Sequence, residues 1–228
     1  MPNENDSNPS SDFKRLRAIF DEDGAHIRDQ FIFAGLILTI FERFKKYVIG
    51  QVDGFFADHI EIQDGDLKYT RGGEFKALIK ERGAGDPGQH DNRVIRAALH
   101  WFFDLGAIDK TELDEIERLY TLRNEIGHEL LRIIADDKKA PIRLADVLIT
   151  FAVYVKIVRW WVKEVEATTD PDITPERYDN TAWDEVESTD TIFLREILSK
   201  ALAENAEWHE LQKAVRAAAP SPSSQPSQ

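Results

Sequence analysis

The chain has 228 residues, of which 42% are hydrophobic and 31% are charged, and its formal net charge is −13. An apolar fraction of this size supports a buried core and excludes wholesale disorder. The absence of cysteine excludes disulfide frameworks, thiolate nucleophiles and cysteine-ligated zinc. The acidic balance argues against a protein coated with basic nucleic-acid contacts, but it is compatible with a small basic site.

The start of the chain, MPNENDSNPSSD, is polar and acidic, so it lacks the basic flank and apolar stretch of a secretion signal. The longest apolar stretch, residues 31–41, is well below the roughly 18–20 residues that span a bilayer. We therefore expect a cytoplasmic protein that does not contact a membrane. Residues 1–11 are rich in Ser, Pro and Asn, and we expect a disordered tail there.

Helical periodicity dominates the first structured part of the chain. From residue 25 to about residue 57, apolar residues recur at steps of three and four, which predicts one long apolar helix that bends or ends near Gly50 and Gly54. Residues 59–90 are interrupted by glycines and are expected to form an irregular insertion. Within it, the pattern predicts a hairpin around Asp64-Gly65 and a short helix over 74–82.

Three further helices are expected over 92–105, 111–135 and 142–165. Thr111-x-x-Asp114 resembles a capping box that opens the second of them. Together with the long apolar helix they predict an all-α helical domain over residues 12–166. No motif for a cofactor or a metal is visible: His128-Glu129 begins like a zinc-protease helix, but Arg132 stands where the second histidine is required.

The acidic charge is concentrated near the end of the chain. Residues 164–190 hold ten acidic residues against one base, Arg177, and so carry nine of the thirteen net negative charges. We interpret residues 167–190 as an acidic linker. A last helix over 191–217 is expected to pack on the core or on a partner, and the Ser/Pro/Gln-rich residues 218–228 are expected to be disordered.

Two local irregularities stand side by side in the helix 111–135. On a helical wheel, Arg123 falls in the middle of the apolar side, where a guanidinium needs a carboxylate, an anion or the edge of an interface. Gly127, one turn later, costs about 1 kcal/mol of helix propensity relative to Ala. The missing side chain leaves room above Arg123, although a close helix crossing would explain this glycine equally well.

Asn124 and His128 are four residues apart on one strip of this helix, so their side chains can converge. The sequence Arg123-Asn124-x-x-x-His128 on a late helix, after a long apolar helix, resembles the HEPN superfamily over residues 12–166. The resemblance implies a helical homodimer whose Arg and His side chains face one another in a cleft and cut RNA without metal or cofactor. It also implies a toxin, or an antiphage or stress effector, for which an antitoxin or another regulatory protein is a candidate partner.

The residue types suit that chemistry. Attack on the phosphodiester by the RNA's own 2′-OH needs a proton shuttle near neutral pH, the role expected of His128. It also needs a fixed cation for the phosphorane, the role expected of Arg123, with Asn124 holding a phosphate oxygen or the imidazole. A second pair, Arg93 and His100, satisfies only a looser form of the motif, and we interpret His100 as a core or interface histidine.

One position departs from the family pattern. In HEPN toxins controlled by a nucleotidyltransferase antitoxin, a modified tyrosine follows the histidine by two residues, and Leu130 stands there in this chain. This places that mode of control in doubt. The other reading of the same fold is a non-catalytic interaction or regulatory module that resembles the mannitol-repressor type. Candidates for contacting an RNA backbone are Lys45, Lys46, Arg132, Lys138, Lys139 and Arg143.

Overall fold

The computed structural model describes residues 24–63, 66–83, 90–136 and 138–218, and most of them are helical. The two predicted disordered tails, 1–11 and 218–228, lie outside these ranges except for Ala218, which closes the last helix. None of the helices in the described ranges combines the length and the apolar character that crossing a bilayer requires.

Helix α1 (Ala25–Phe55) forms the centre of the core. Its three- and four-residue apolar repeat places one side against the other helices, and it ends one residue after Gly54, where the sequence predicted an end or a bend. Aromatic edges join it to two neighbours: the ring centroids of Phe41 and Tyr120 are 5.4 Å apart, and those of Phe44 and Tyr154 are 5.9 Å apart. The α1 side chains with no exposed surface are Ile37, Ile40, Phe41, Phe44, Val48 and Val52.

The predicted hairpin is present. Strands β1 (Ala57–Gln63) and β2 (Asp66–Arg71) pair antiparallel, with Ile60 opposite Tyr69, and helix α2 (Gly73–Arg82) follows them. Arg71 forms an ion pair with Asp53 of α1 at 2.5 Å, which ties the hairpin to the core. The segment 59–90 is thus an ordered hairpin and helix over its described residues.

Helices α3 (His90–Asp104), α4 (Lys110–Ala135) and α5 (Leu144–Trp161) complete the core around α1. The predicted capping box of α4 was wrong. The N-cap is Asp109, two residues before Thr111. The Asp109 carboxylate accepts a hydrogen bond from the Glu112 backbone N–H at 2.9 Å, and the Glu112 carboxylate accepts one from the Asp109 N–H at 2.8 Å.

The acidic segment is partly helical. Helix α5 continues through a π-helical turn (Val162–Glu166) and a last α-helical turn (Ala167–Thr169), and helix α6 (Pro175–Asn180) and a 3-10 turn (Trp183–Glu185) follow. The Arg159 Nε donates to the Val186 carbonyl oxygen at 3.0 Å. The segment therefore returns to the side of α5.

The prediction of one final helix was wrong, because two helices occupy that part of the chain. Helix α7 (Thr189–Ala201) adds buried leucines to the core, and helix α8 (Ala206–Ala218) follows a short break. Asn205 causes the break: its Oδ1 accepts from the Trp208 backbone N–H at 2.9 Å, and its Nδ2 donates to Asp29 at 2.9 Å. A side chain that caps a new helix and also binds α1 ends the periodicity there.

A buried carboxylate joins the start of α5 to α4. Asp146, 2% exposed, lies 2.7 Å from Arg118 and 2.7 Å from Arg143. Burial alone would raise the pKa of Asp146, but the hydrogen bonds from Arg143 and Arg118 outweigh it, so the pKa lies below its ordinary value of 3.8. The negative charge of Asp146 therefore stabilises the folded protein.

Asp146→Asn is expected to lower the free energy of unfolding by about 2 kcal/mol at pH 7, because hydrogen bonds to a charged group are worth about 1.5–3 kcal/mol. Since folding depresses this pKa, the contribution is present above 3.8 and is lost as the pH falls through the folded-state value. Urea denaturation of both proteins at pH 7 and at steps below pH 3.8 measures the difference. A loss that stays constant with pH would show that the charge is not its source.

Candidate functional site

Arg123 projects from the middle of α4 towards α1, and its side chain is 30% exposed. Its Nη2 forms an ion pair with Glu42 of α1, and its Nη1 donates to the Asn124 Oδ1 at 3.1 Å. The sequence predicted that Arg123 reaches a carboxylate, an anion or an interface, and Glu42 is that carboxylate. Glu42 itself was missed as a site residue, although it ends the apolar stretch 31–41 at the border of the apolar side.

Asn124 is engaged with Arg123. Its amide oxygen accepts from the guanidinium, and no hydrogen bond joins it to His128 among the described residues. Of the two uses predicted for Asn124, holding a phosphate oxygen or the imidazole, neither is visible in the protein alone. The contact instead fixes one side of the Arg123 guanidinium while Glu42 holds the other.

His128 is exposed on the surface of α4, and within the described residues no hydrogen bond or ion pair reaches it. The helix is distorted directly after it, because Glu129 has non-helical angles (φ −132°, ψ 24°). A single interrupted turn of this kind redirects the side chains beside it. The imidazole therefore lies beside a local irregularity and has both ring nitrogens available.

The carboxylates nearest to His128 in the sequence are paired with bases. Glu129 lies 3.1 Å from Arg132 and 3.9 Å from Lys139, and Glu125 lies 3.5 Å from Lys139. Two of the six basic residues predicted to contact RNA are thus engaged here. Arg143 is held by Asp146 and Lys45 also has a partner, so Lys46 and Lys138 are the members of that set whose side chains have no partner in the described chain. The Lys138 backbone N–H donates to Asp136.

An exposed surface surrounds the motif. Gln30 near the start of α1 bonds the backbone of Ile142, beyond the end of α4, while Glu42 meets Arg123, so α1 and α4 run antiparallel. We name the exposed residues of these two neighbouring helices the α1–α4 face. It comprises Phe31, Gly35 and Thr39 of α1 and Gly127, His128 and Leu131 of α4.

The α1–α4 face exposes apolar and small residues. Phe31 is 48% exposed and Leu131 is 74% exposed. A Cβ atom added at Gly35 or Gly127 would meet no atom within 4 Å. No helix of the described chain therefore crosses closely at Gly127, and the missing side chain leaves open space, as one of the two readings of this glycine predicted.

The competing histidine has a structural partner. His100 on α3 is 24% exposed, and its Nε2 lies 3.6 Å from Glu117 of α4, which also binds Arg96 at 3.0 Å. Arg93, the other half of the looser motif, is exposed. The cluster links α3 to α4, which agrees with the interpretation of His100 as a core or interface histidine.

Comparison of the chain with protein-family models found no matching family. Comparisons with curated proteins and with solved structures also found no significant match. Within the described part of the chain, no group of three His, Asp or Glu side chains is placed to hold a metal ion. The function is therefore inferred from the geometry of the motif and its surroundings.

Proposed function

We propose that this protein is a HEPN-like endoribonuclease that cleaves RNA without metal, through attack of the substrate's own 2′-OH. The observation that carries the proposal is the contrast between the two motif residues on α4. Arg123 is half-buried and held in place by Glu42 and Asn124, whereas His128 is exposed and unbonded among the described side chains. A fixed cation and a free proton carrier are what this reaction requires.

In the proposed reaction, the 2′-oxygen forms a bond to the adjacent phosphorus and the bond from phosphorus to the 5′-oxygen breaks. His128 accepts the proton of the 2′-OH and then delivers a proton to the leaving 5′-oxygen, so the products are a 2′,3′-cyclic phosphate and a 5′-hydroxyl. Arg123 donates hydrogen bonds to the phosphate oxygens, whose charge increases in the phosphorane. Asn124 keeps the guanidinium oriented.

The geometry favours a dimeric site. Five residues of α-helix separate Arg123 and His128 by about 140° around the axis, too far for both to reach one phosphate comfortably from a single helix. A second chain related by two-fold symmetry places its own motif opposite the first. The exposed α1–α4 face supplies apolar surface for that contact, with Phe31 and Leu131 as its most exposed large side chains.

Leu131→Asp is expected to convert a homodimer into a monomer, because it places a charge in the centre of the proposed apolar contact. Size-exclusion chromatography with light scattering measures the mass. The matched control is Ile62→Asp on the hairpin, since Ile62 is 76% exposed and Leu131 is 74% exposed. A wild-type protein that is monomeric at high concentration, or a Leu131→Asp variant that stays dimeric, would contradict this arrangement.

Incubation of the purified protein with total RNA in EDTA tests the function. The expected result is cleavage to fragments with 2′,3′-cyclic phosphate ends. Intact RNA across a range of single-stranded and structured substrates would overturn the proposal. An active enzyme of this kind would serve as a toxin or as an antiphage or stress effector, and Leu130 argues that any antitoxin acts otherwise than by modifying a tyrosine at that position.

The contact between Arg123 and Glu42 favours one alternative. A guanidinium neutralised by a carboxylate is also what a non-catalytic helical module of the mannitol-repressor type would contain, with Arg123 in a structural role. That reading predicts no cleavage of any RNA and partner binding that is unchanged in His128→Ala. The cleavage assay therefore separates the two functions.

A further inference from the structure

A basic groove lies beside the motif, one helical turn further along α1. We name it the Lys46–Lys68 groove. It runs between α1, strand β2 and the start of α7, and its lining includes Arg43, Lys46, Tyr47, Lys68, Tyr69 and Asp190. Glu42, the partner of Arg123, is four residues before Lys46, which places the groove about 6 Å along the helix axis from the motif.

The cations of this groove are largely free. Lys46 and Lys68 are exposed, and neither side chain has an ion pair or a hydrogen bond within the described residues. Arg43 is 49% exposed and lies 3.7 Å from Asp190, so it is the cation of this lining that has a carboxylate partner in the described structure. Three positive charges from two elements thus face one negative charge in the lining.

A second basic depression lies beside Trp160 and differs in this respect. Each of its four cations is already close to a carboxylate. Lys156 is 2.6 Å from Glu112, Lys163 is 3.0 Å from Glu164, Arg159 is 3.9 Å from Glu187, and Arg195 also pairs with Glu187. Paired cations offer a phosphate little, so the Lys46–Lys68 groove is the better anion site.

The aromatic residues of the groove are suited to nucleotides. Tyr47 and Tyr69 are half-buried, and the ring centroids of Tyr47 and the fully buried Tyr154 are 5.6 Å apart. The Tyr154 hydroxyl makes no hydrogen bond in the described protein. Burial and the Asp190 carboxylate raise the pKa of Tyr154 to about 12, against the opposite effect of Arg43, so the buried hydroxyl keeps its proton.

We propose that the Lys46–Lys68 groove binds the single-stranded RNA that leads away from the Arg123 site, with phosphates on Lys46 and Lys68 and bases against Tyr47 and Tyr69. Proteins that bind single strands combine a positive groove for the backbone with aromatic rings on which bases stack. The inference rests on the proposed ribonuclease function, and it defines the path of the substrate strand.

Asp190 gives the acidic segment a role in this groove. It is the last residue of the acidic stretch 164–190 and the carboxylate next to Arg43. A carboxylate at this position competes with a phosphate for the same guanidinium. Removing its charge should therefore strengthen RNA binding, while removing the lysines weakens it.

The test measures binding of a fluorescent single-stranded RNA oligonucleotide by anisotropy at several salt concentrations, in full-length protein carrying His128→Ala to prevent cleavage. Adding Lys46→Ala and Lys68→Ala is expected to make the negative slope of the logarithm of the association constant against log salt shallower by about 1.4, because each phosphate contact to a single strand contributes about −0.7 to that slope. The control is Lys76→Ala with Lys80→Ala, two exposed lysines of α2 outside the groove. Asp190→Asn is expected to bind more tightly than its parent.

Unchanged affinity and slope in the double-lysine variant would overturn the groove even if the wild-type enzyme cleaves RNA. Binding that needs both lysines, in a protein that cleaves no RNA, would uphold the groove and overturn the ribonuclease. Uridine monophosphate and the unlabelled oligonucleotide are also compared as competitors at the same phosphate concentration. If they compete equally well, the groove binds a free nucleotide and the proposed path of the RNA strand is wrong. If a poly-glutamate peptide competes equally well, the groove binds an acidic protein and the proposed path of the RNA strand is likewise wrong.

Discussion

His128→Ala is expected to lower the rate of RNA cleavage by about 10²- to 10⁴-fold, the usual contribution of a positioned general acid or base. The imidazole is the natural proton carrier near neutral pH, and no hydrogen bond holds it among the described residues. The side chain is exposed, so its removal is expected to change the free energy of unfolding by less than about 0.5 kcal/mol. Single-turnover cleavage of a labelled RNA and urea denaturation measure the two effects.

Two other histidines provide controls. His209 on α8 is exposed like His128 but far from it in sequence, so His209→Ala should keep the wild-type rate and stability. His100→Ala removes the contact with Glu117, so it should reduce stability moderately while cleavage by the folded fraction persists. If His128→Ala cleaves at the wild-type rate, or if His209→Ala loses as much activity, the assignment of His128 is wrong.

Short-range patterns explain which elements could be predicted from the sequence. The apolar repeats place α1, α3, α4 and α5 close to their observed bounds, and the turn residues at 64–65 lie between the two observed strands. Such signals are local, because a helix or hairpin needs only its own side chains to bury one face. Fold class and element type therefore follow from periodicity.

Competing side chains explain where the sequence reading failed. Thr111 and Asp109 are both acceptable N-caps, and only the reciprocal hydrogen bonds with Glu112 show which one is used. The break before α8 depends on Asn205 reaching Asp29, which is 176 residues away in the chain. Neither choice is encoded in a local pattern.

The candidate site likewise contains residues that a local sequence pattern reveals and residues that only the tertiary fold brings together. Arg123, Asn124 and His128 lie within six residues, so their spacing could be recognised in the sequence. Glu42 is 81 residues from Arg123, and nothing in the sequence pairs them. The Lys46–Lys68 groove similarly combines α1, β2 and the start of α7, so only the tertiary fold brings its cations together.

Arg123→Ala is expected to lower cleavage by about 10²- to 10³-fold, the cost of removing one preorganised group that stabilises transition-state charge. Arg123→Lys should recover little of that loss, because an ammonium lacks the planar fork that contacts two phosphate oxygens at once. The effect of Arg123→Ala on the free energy of unfolding should be small. Arg123 is 30% exposed and Glu42 is 53% exposed, and ion pairs at the surface are worth about 0–1 kcal/mol.

Glu42→Gln is the matched control, because it breaks the same ion pair and leaves the guanidinium in place. A catalytic Arg123 requires that Glu42→Gln cleave RNA much faster than Arg123→Ala, because the guanidinium is still present and the glutamine amide oxygen can still accept its hydrogen bond. A purely structural pair requires the opposite: both substitutions reduce stability equally and neither changes cleavage by the folded protein. The cleavage rate and the urea midpoint are therefore measured together for Arg123→Ala, Arg123→Lys and Glu42→Gln. The comparison determines whether the Arg123–Glu42 pair serves the reaction or only the packing of α1 against α4.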